Sequence, residues 1–500
     1  MTGDQERRLL SKAFEFGRTL FNATLSQALG RLQRMREDAR WRQARLMPKG
    51  RERNAIFNAL HREYELTEFG LKTLANRHRV ASGRNCIGAH EAQSIGRTVF
   101  RAIERYMFMG AGKPRFKSYR QGINSIEGTD NHDIMFKPER QAVVWRKHVY
   151  PVIIPKTDYI REALADPANP TKPRRVKICR IIRRHIKGKE RWFVQLAMEG
   201  VAPVRHIYAP TSEVVGIDPG PSQIAVFSPW YAGCFSLAPG VEDYSRLMRR
   251  LLKKMDRSRR QTNPENFNAD GTCKKGPKRW TFSKSYEKLQ SELRELYRCQ
   301  AQTRKRDHGT LVNHVLQLGG TVKIEKNSYR SYQRNFGKST QRSGMGEFVN
   351  HLKRSAESAN LCVQELNAYE LKMSQYDFQT EMYKKKPLRQ RWHQLGETDT
   401  FVQRDIMSAY LACYATEKGH DPKLLHKRWP SAEQLLRDAG LCLTNEPRND
   451  QNGGQSPLRL TREVKPKALL PTDKRCISKT AFAWQCRAVS ERKQREASEG

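Results

Sequence analysis

Three short apolar runs in the second half of the chain each carry one carboxylate, and this restricts the fold more than any other feature. Asp218 closes the run Glu213-Val214-Val215-Gly216-Ile217-Asp218-Pro219-Gly220. Glu325 lies in Thr321-Val322-Lys323-Ile324-Glu325-Lys326, and Asp405 opens the helical stretch Asp405-Ile406-Met407-Ser408-Ala409-Tyr410. A carboxylate on an apolar element is costly to bury unless a cation or hydrogen bonds compensate it. A layer that brings the three to one end of a sheet lets them share that compensation. Oxygen donors suit Mg2+, and two such ions about 4 Å apart clamp the attacking and leaving oxygens of an in-line phosphoryl displacement.

The charge balance names the polymer. Across 500 residues, 93 Lys and Arg stand against 52 Asp and Glu, a net charge of +41. A surplus of that size calls for a polyanion, because each neutralised phosphate releases a counterion. No apolar run is long enough to span a bilayer, and Met1-Thr2-Gly3-Asp4-Gln5-Glu6-Arg7-Arg8 lacks the apolar core of a signal peptide, so no membrane partner is expected. The 10 cysteines are scattered with no CxxC pair, which leaves neither a disulfide framework nor a zinc ribbon legible. Reduced thiols in a prokaryotic cytoplasm are the simplest account.

The chain divides by texture. Residues 1–110 read as long helices: one begins at Leu9, Leu10 and Phe14, a second runs from Arg53 to about Asn76, and a third from Glu91 to about Met109. Residues 111–212 read as a small β-barrel or antiparallel sheet, with strands at 141–145, 149–154, 176–182 and 191–198 and a hairpin signal at Lys187-Gly188-Lys189. Arg180, Arg183, Arg184, Lys187, Lys189 and Arg191 would form its basic rim. Before it, Lys113, Arg115 and Lys117 surround Phe116, which is expected to anchor in the core while the cations meet phosphate. Residues 213–417 carry three short strands at 213–217, 223–227 and 231–236, then a basic amphipathic helix over about 242–260. Arg246, Arg249, Arg250, Lys253, Lys254 and Arg257 recur on it at helical spacing, beside a stripe of Leu247, Leu251, Leu252 and Met255. Residues 261–280 read as a mobile loop, about 355–400 as an inserted nucleic-acid-binding segment, and 418–500 as a partly disordered tail. Hairpin, connecting helix, strand and terminal helix together make an RNase H-like α/β layer within a multidomain α+β protein. Glu397 and Asp399 compete with Asp405 for the third acidic position.

Taken with these residues, the chain resembles the TnpB proteins of insertion elements and the compact type V CRISPR effectors. GIDPG is similar to their first RuvC motif, KIEKN to the second and QRDIMSA to the third, and FEFGRTLFNATL, GKPRFKS and RRVKICRIIRR are similar to their recognition and wedge regions. The resemblance covers roughly residues 9–415. It implies a helical recognition lobe, a wedge β-barrel and a RuvC nuclease domain that bind a guide RNA, open double-stranded DNA beside a short flanking motif and cut it. Asp218, Glu325 and Asp405 are then the catalytic and metal-holding residues, with two Mg2+ ions. The sequence departs from the family in three ways. It begins directly with a helix; residues 355–400 hold only Cys362 where the family has a CxxC…CxxC finger; and Met407-Ser408 replace the usual Asn-Ala after the third acid. No structural zinc is therefore expected. A guide-directed binder that blocks transcription without cutting, an unguided transposase or resolvase of the same fold, and an RNA-packaging protein are the rival readings. Monomer or homodimer, and transposon or CRISPR locus, stay open.

Overall fold

The computed structural model describes residues 3–82, 86–119, 122–129, 132–204, 213–387, 390–416 and 419–445. Helices α1 (Asp4–Glu37), α2 (Ala39–Leu46), α3 (Arg51–Glu63), α4 (Glu68–Ser82) and α5 (Ala89–Phe108) make up the first part. Leu10, Phe14, Gly17, Phe21, Leu25, Ala28, Leu32 and Met35 form the buried stripe of α1 at steps of three and four. The helix expected over 53–76 is two helices. Between them Glu65 takes a left-handed φ of 49° and Leu66 turns into the core. Near the start of α5, Glu91 is fully buried and accepts a hydrogen bond from Trp145 Nε1 at 2.5 Å, beside the carboxylate of Asp133.

Two three-stranded antiparallel sheets follow. One orders β1 (Ser125–Thr129), β5 (Val176–Ile186) and β6 (Lys189–Met198); the other is the meander β2 (Ile134–Lys137), β3 (Ala142–Trp145) and β4 (His148–Pro151). They share a core with α1, α4 and α5. Among the described residues the sheets are not closed into a barrel. A short helix, α6 (Asp158–Leu164), joins β4 to β5. Lys187 (φ 51°) and Gly188 (φ 72°) make the two-residue turn between β5 and β6 that the sequence signals. The expected basic rim is only partly a rim. Arg180 is paired with Glu127, and Arg183 donates to Ile123 O and lies over Phe14, so both are structural.

The second half is built on five strands: β7 (Val214–Pro219), β8 (Gln223–Ser228), β9 (Tyr231–Ser236), β10 (Thr321–Glu325) and β11 (Cys362–Leu366). Their order across the sheet is β11-β10-β7-β8-β9, with β8 antiparallel to its neighbours and the other pairings parallel. Between β9 and β10 run α7 (Ser245–Thr262) and the 35-residue α8 (Lys284–Leu318). The buried side of α7 is Met248, Leu251 and Met255, whereas Leu252 faces outward at 47% exposure. Between β10 and β11 lie α9 (Tyr329–Asn335), α10 (Gly337–Ser343) and α11 (Met345–Ser358).

After β11 come α12 (Ala368–Leu371), the hairpin β12 (Tyr376–Asp377) and β13 (Met382–Tyr383), and then β14 (Trp392–Gln394) and β15 (Phe401–Gln403). Helix α13 (Arg404–Tyr414) crosses one face of the five-stranded sheet, and α8 and α11 cover the other. The region read as a tail begins with structure. α14 (Pro422–Asp438) buries Leu425, Trp429, Ala432 and Leu436 against α13, and β16 (Cys442–Leu443) pairs with β15. The remainder of the region read as a partly disordered tail, from residue 446 on, lies outside the described residues.

Candidate active site

Strand geometry sets which side chains meet. Side chains two apart on a strand share a face, and Lys323 is in register with Gly216. Gly216 and Asp218 of β7 therefore lie on the same face as Lys323 and Glu325 of β10, and that face carries α13. The alternate residues Val215, Ile217, Val322 and Ile324 enter the opposite core. Gly216 is needed because α13 passes directly over it. A β-carbon there would collide with the Ala409 carbonyl oxygen and the Cys413 amide nitrogen and would lie 2.9 Å from Cys413 Cα. Lys323 ties the far end of α13 to β10, donating from Nζ to the carbonyls of Ala415 (2.6 Å) and Cys413 (3.3 Å), which a helix C-terminus leaves without partners. At the near end Gln403 caps the helix, its side-chain oxygen accepting from Ile406 N at 2.7 Å. Asp405, in the first turn, is thereby brought over the C-terminal ends of β7 and β10.

The three carboxylates repel one another. Asp218 is held well above the usual carboxylate range, first by removal from water and then by the charges of Glu325 and Asp405; Arg404 and the hydroxyl of Ser408 pull the other way. Burial pushes Glu325 up to about 7. Asp405 has arginine partners: Arg404 Nε donates to Oδ1 at 3.0 Å and Arg391 Nη1 to Oδ2 at 3.4 Å, with Gln403 Nε2 at 3.3 Å. Tyr332 of α9 borders the cluster, its hydroxyl pushed up by burial and then by all three acids. Asp218, Asp405, Cys234 and Arg391 line a cavity of about 60 Å³. The rivals for the third place are not in it. Glu397 and Asp399 are exposed in the turn between β14 and β15, at the end of that hairpin remote from Asp405.

Three carboxylates under mutual repulsion offer the oxygen donors that a hard divalent cation prefers. Among the described residues no three His, Cys, Asp or Glu side chains are gathered tightly enough to enclose a metal as they stand. In the structure Arg391 and Arg404 supply the positive charge. Although the sequence marks it only as a departure in the third motif, Ser408 was within reach of sequence reasoning, standing one helical turn after Asp405. Arg391 and Tyr332 were not, because each arrives from a separate excursion of the chain.

The nucleic-acid candidates divide. Arg246, Arg249, Arg250, Lys253, Lys254 and Arg257 are exposed along α7. Lys113 and Arg115 are exposed as well. Lys117 is half-buried, its backbone held by Asn22 and Arg18 of α1 and its Nζ 5.4 Å from the Phe21 ring centre. Phe116, expected in the core, is 55% exposed, since the backbone of its neighbour and not its ring ties this segment down.

No protein-family model matches the sequence, and neither does any curated protein. Among solved structures, a Cas12f1–sgRNA–target DNA complex aligns over 82% of this chain and 82% of that one, at 10% identity and a TM-score of 0.46. A CRISPR–Cas12f ternary complex aligns over 76% and 74%, at 13% identity and a TM-score of 0.24. Both likenesses are too distant to bear on function.

Proposed function

We propose that the protein is an RNA-guided DNA endonuclease of RuvC type, with Asp218, Glu325 and Asp405 as its metal-holding acids. The observation that carries the nuclease reading is the meeting of these three, from two parallel strands and one helix, at one end of an RNase H-like sheet. Mg2+ held there would supply Lewis-acid polarisation of the phosphate and an activated water. The chain's own groups have distinct tasks. The hydroxyl of Ser408 lies beside Asp218 and donates to Arg404 O at 3.3 Å, Lys323 and Gln403 fix the helix that presents Asp405, and Arg391, 45% exposed at the cavity mouth, is placed to meet a scissile phosphate. The exposed cations of α7, which leaves the same end of the sheet, give the strand a basic approach.

Guidance rests on the motifs and on the size of the helical and β apparatus, which exceeds what cutting alone requires. Pairing with the guide would then choose the sequence while the protein reads backbone shape and a flanking motif. The arginine contacts of Asp405 favour one rival, the guide-directed binder that cuts little. The test is cleavage of duplex DNA by the protein with its copurifying RNA, with that RNA's variable end rewritten, and without RNA. Cutting that follows the rewritten end is expected. Equal site-specific cutting by RNA-free protein would replace the reading with an unguided transposase or resolvase, and binding that follows the guide without cutting would leave the transcriptional blocker.

A further inference from the structure

Residues 261–280 read as a mobile loop from their Gly, Asn and Lys, yet α7 runs on to Thr262 and the structure holds residues 263–283 as a compact knob on the tip of the α7–α8 hairpin. Two asparagines organise it from within. Asn263, fully buried, donates from Nδ2 to the carbonyls of Arg259 (2.9 Å) and Thr281 (2.8 Å), and its Oδ1 accepts from Thr281 N at 2.6 Å. Asn266, 6% exposed, donates to Arg279 O at 2.8 Å, and its own carbonyl accepts from Lys274 N at 3.0 Å. The rings of Phe267 and Trp280 meet edge to face at 5.8 Å under the guanidinium of Arg259, with Arg260 over Phe267.

This ordering is unexplained by the hairpin itself, which two residues and a turn would close. The outer surface suggests its use. Lys274, Lys275 and Arg279 are exposed, and among the described residues none has a carboxylate partner, while Glu265 and Asp270 bond within the knob. The two aromatic rings lie under arginines and so do not offer a stacking platform for bases. What is displayed is a fixed group of cations.

Its position separates it from the chemistry. Asp307 of α8 accepts from Gly240 N at 2.8 Å, just after β9 leaves the sheet at the carboxylate end. From there back to Lys284 the helix runs outward for about 35 Å at 1.5 Å per residue. A phosphate held by the knob is therefore not the one being cut.

We propose that the knob is a preorganised docking point for the phosphate backbone of the guide RNA, the polyanion that stays bound throughout the reaction. The proposal rests on the guided-nuclease reading. Fixing the cations beforehand removes the ordering cost that a loop would meet on binding, and contact with phosphates fixes register without reading sequence.

The test compares two variants for binding of the copurifying RNA over a range of salt. K274A/K275A/R279A should weaken RNA binding at low salt and lower the salt slope by roughly 0.7–0.9 for each phosphate that is no longer neutralised. N263A/N266A keeps every cation but releases the knob, and should weaken binding several-fold with the slope nearly kept. RNA binding and slope of the triple variant equal to wild type would overturn the proposal while leaving the guided reading intact. Weakened duplex-DNA binding with unchanged RNA binding would overturn it in favour of a DNA contact. Failure of the wild-type protein to bind its RNA would remove the guided reading and this proposal together.

Discussion

Gly216→Ala tests whether the close passage of α13 over β7 is what assembles the acidic site. The added methyl would strike the backbone of Ala409 and Cys413, and backbone atoms cannot rotate aside as a side-chain tip would. The approach to Cys413 Cα alone, at 2.9 Å, must open by about half an ångström to reach ordinary packing distance, and the closer pair must open further. Overpacking of this kind costs about 1–3 kcal/mol, and a rigid obstacle on both sides puts this case near 3. The functional loss should be larger. Lifting α13 by about 1 Å carries Asp405 away from Asp218 and Glu325, and a misplacement of that size lowers a rate by about 100-fold. The assay is single-turnover cleavage beside DNA binding and thermal melting. Binding should persist and cleavage should collapse. Gly30→Ala on α1, where nothing lies within 4 Å of the new methyl, should instead stabilise by about 0.5–1 kcal/mol. Wild-type cleavage by Gly216→Ala would show that the passage over β7 does not position Asp405.

Asp218→Ala or Glu325→Ala should abolish Mg2+-dependent cleavage and spare DNA binding, the double variant should be little worse than either, and chelation should match them; cutting retained in Glu325→Ala removes that residue from the site. Replacing Arg249, Arg250, Lys253 and Lys254 together should weaken binding to all sequences alike and flatten its salt dependence, leaving target choice unchanged; altered target choice would mean that α7 reads bases. Glu91 is held up at about 7 by burial and then by the charge of Asp133, so its native state keeps a proton that the unfolded chain releases near pH 4.5. Stability should therefore fall as pH rises from about 4.5 to 7, by up to about 3 kcal/mol, while the downward shift of Asp133 acts below its ordinary value of 3.8 and so outside this window. Glu91→Gln should remove that dependence in melts at pH 5 and 8, and a persistent slope would place its origin elsewhere.

The sequence disclosed the parts whose signal is local. Strands β7 to β9, the hairpin at Lys187-Gly188 and the basic helix α7 were legible because their periodicity and turn chemistry are complete within a few residues. Asp218, Glu325 and Asp405 were legible as acids on apolar elements, and the order of elements carries them toward one end of the sheet. What failed was decided at a distance. Between a barrel and an antiparallel sheet the sequence could not choose, because a run of strands does not say how sheets divide. The break at Glu65 depends on Leu66 finding a core between helices. The knob at 263–283 looked mobile because buried asparagine side chains, not apolar periodicity, hold it. Arg391 could not be assigned because β14 reaches the site through pairing with β15.

Among the described residues, the apolar cluster of the first part ends at Met198 and the next begins at Val214; no cluster crosses between them. The Lys187 amide donates to Glu295 Oε2 at 3.3 Å, a polar contact that bridges the two. Two cores so divided should melt as two cooperative units, each with its own unfolding free energy. Calorimetry of the RNA-free protein should resolve two transitions. Glu91→Gln would move one and Gly216→Ala the other, so each substitution reports on its own unit; a single transition displaced equally by both would mean that the polar bridge couples the cores.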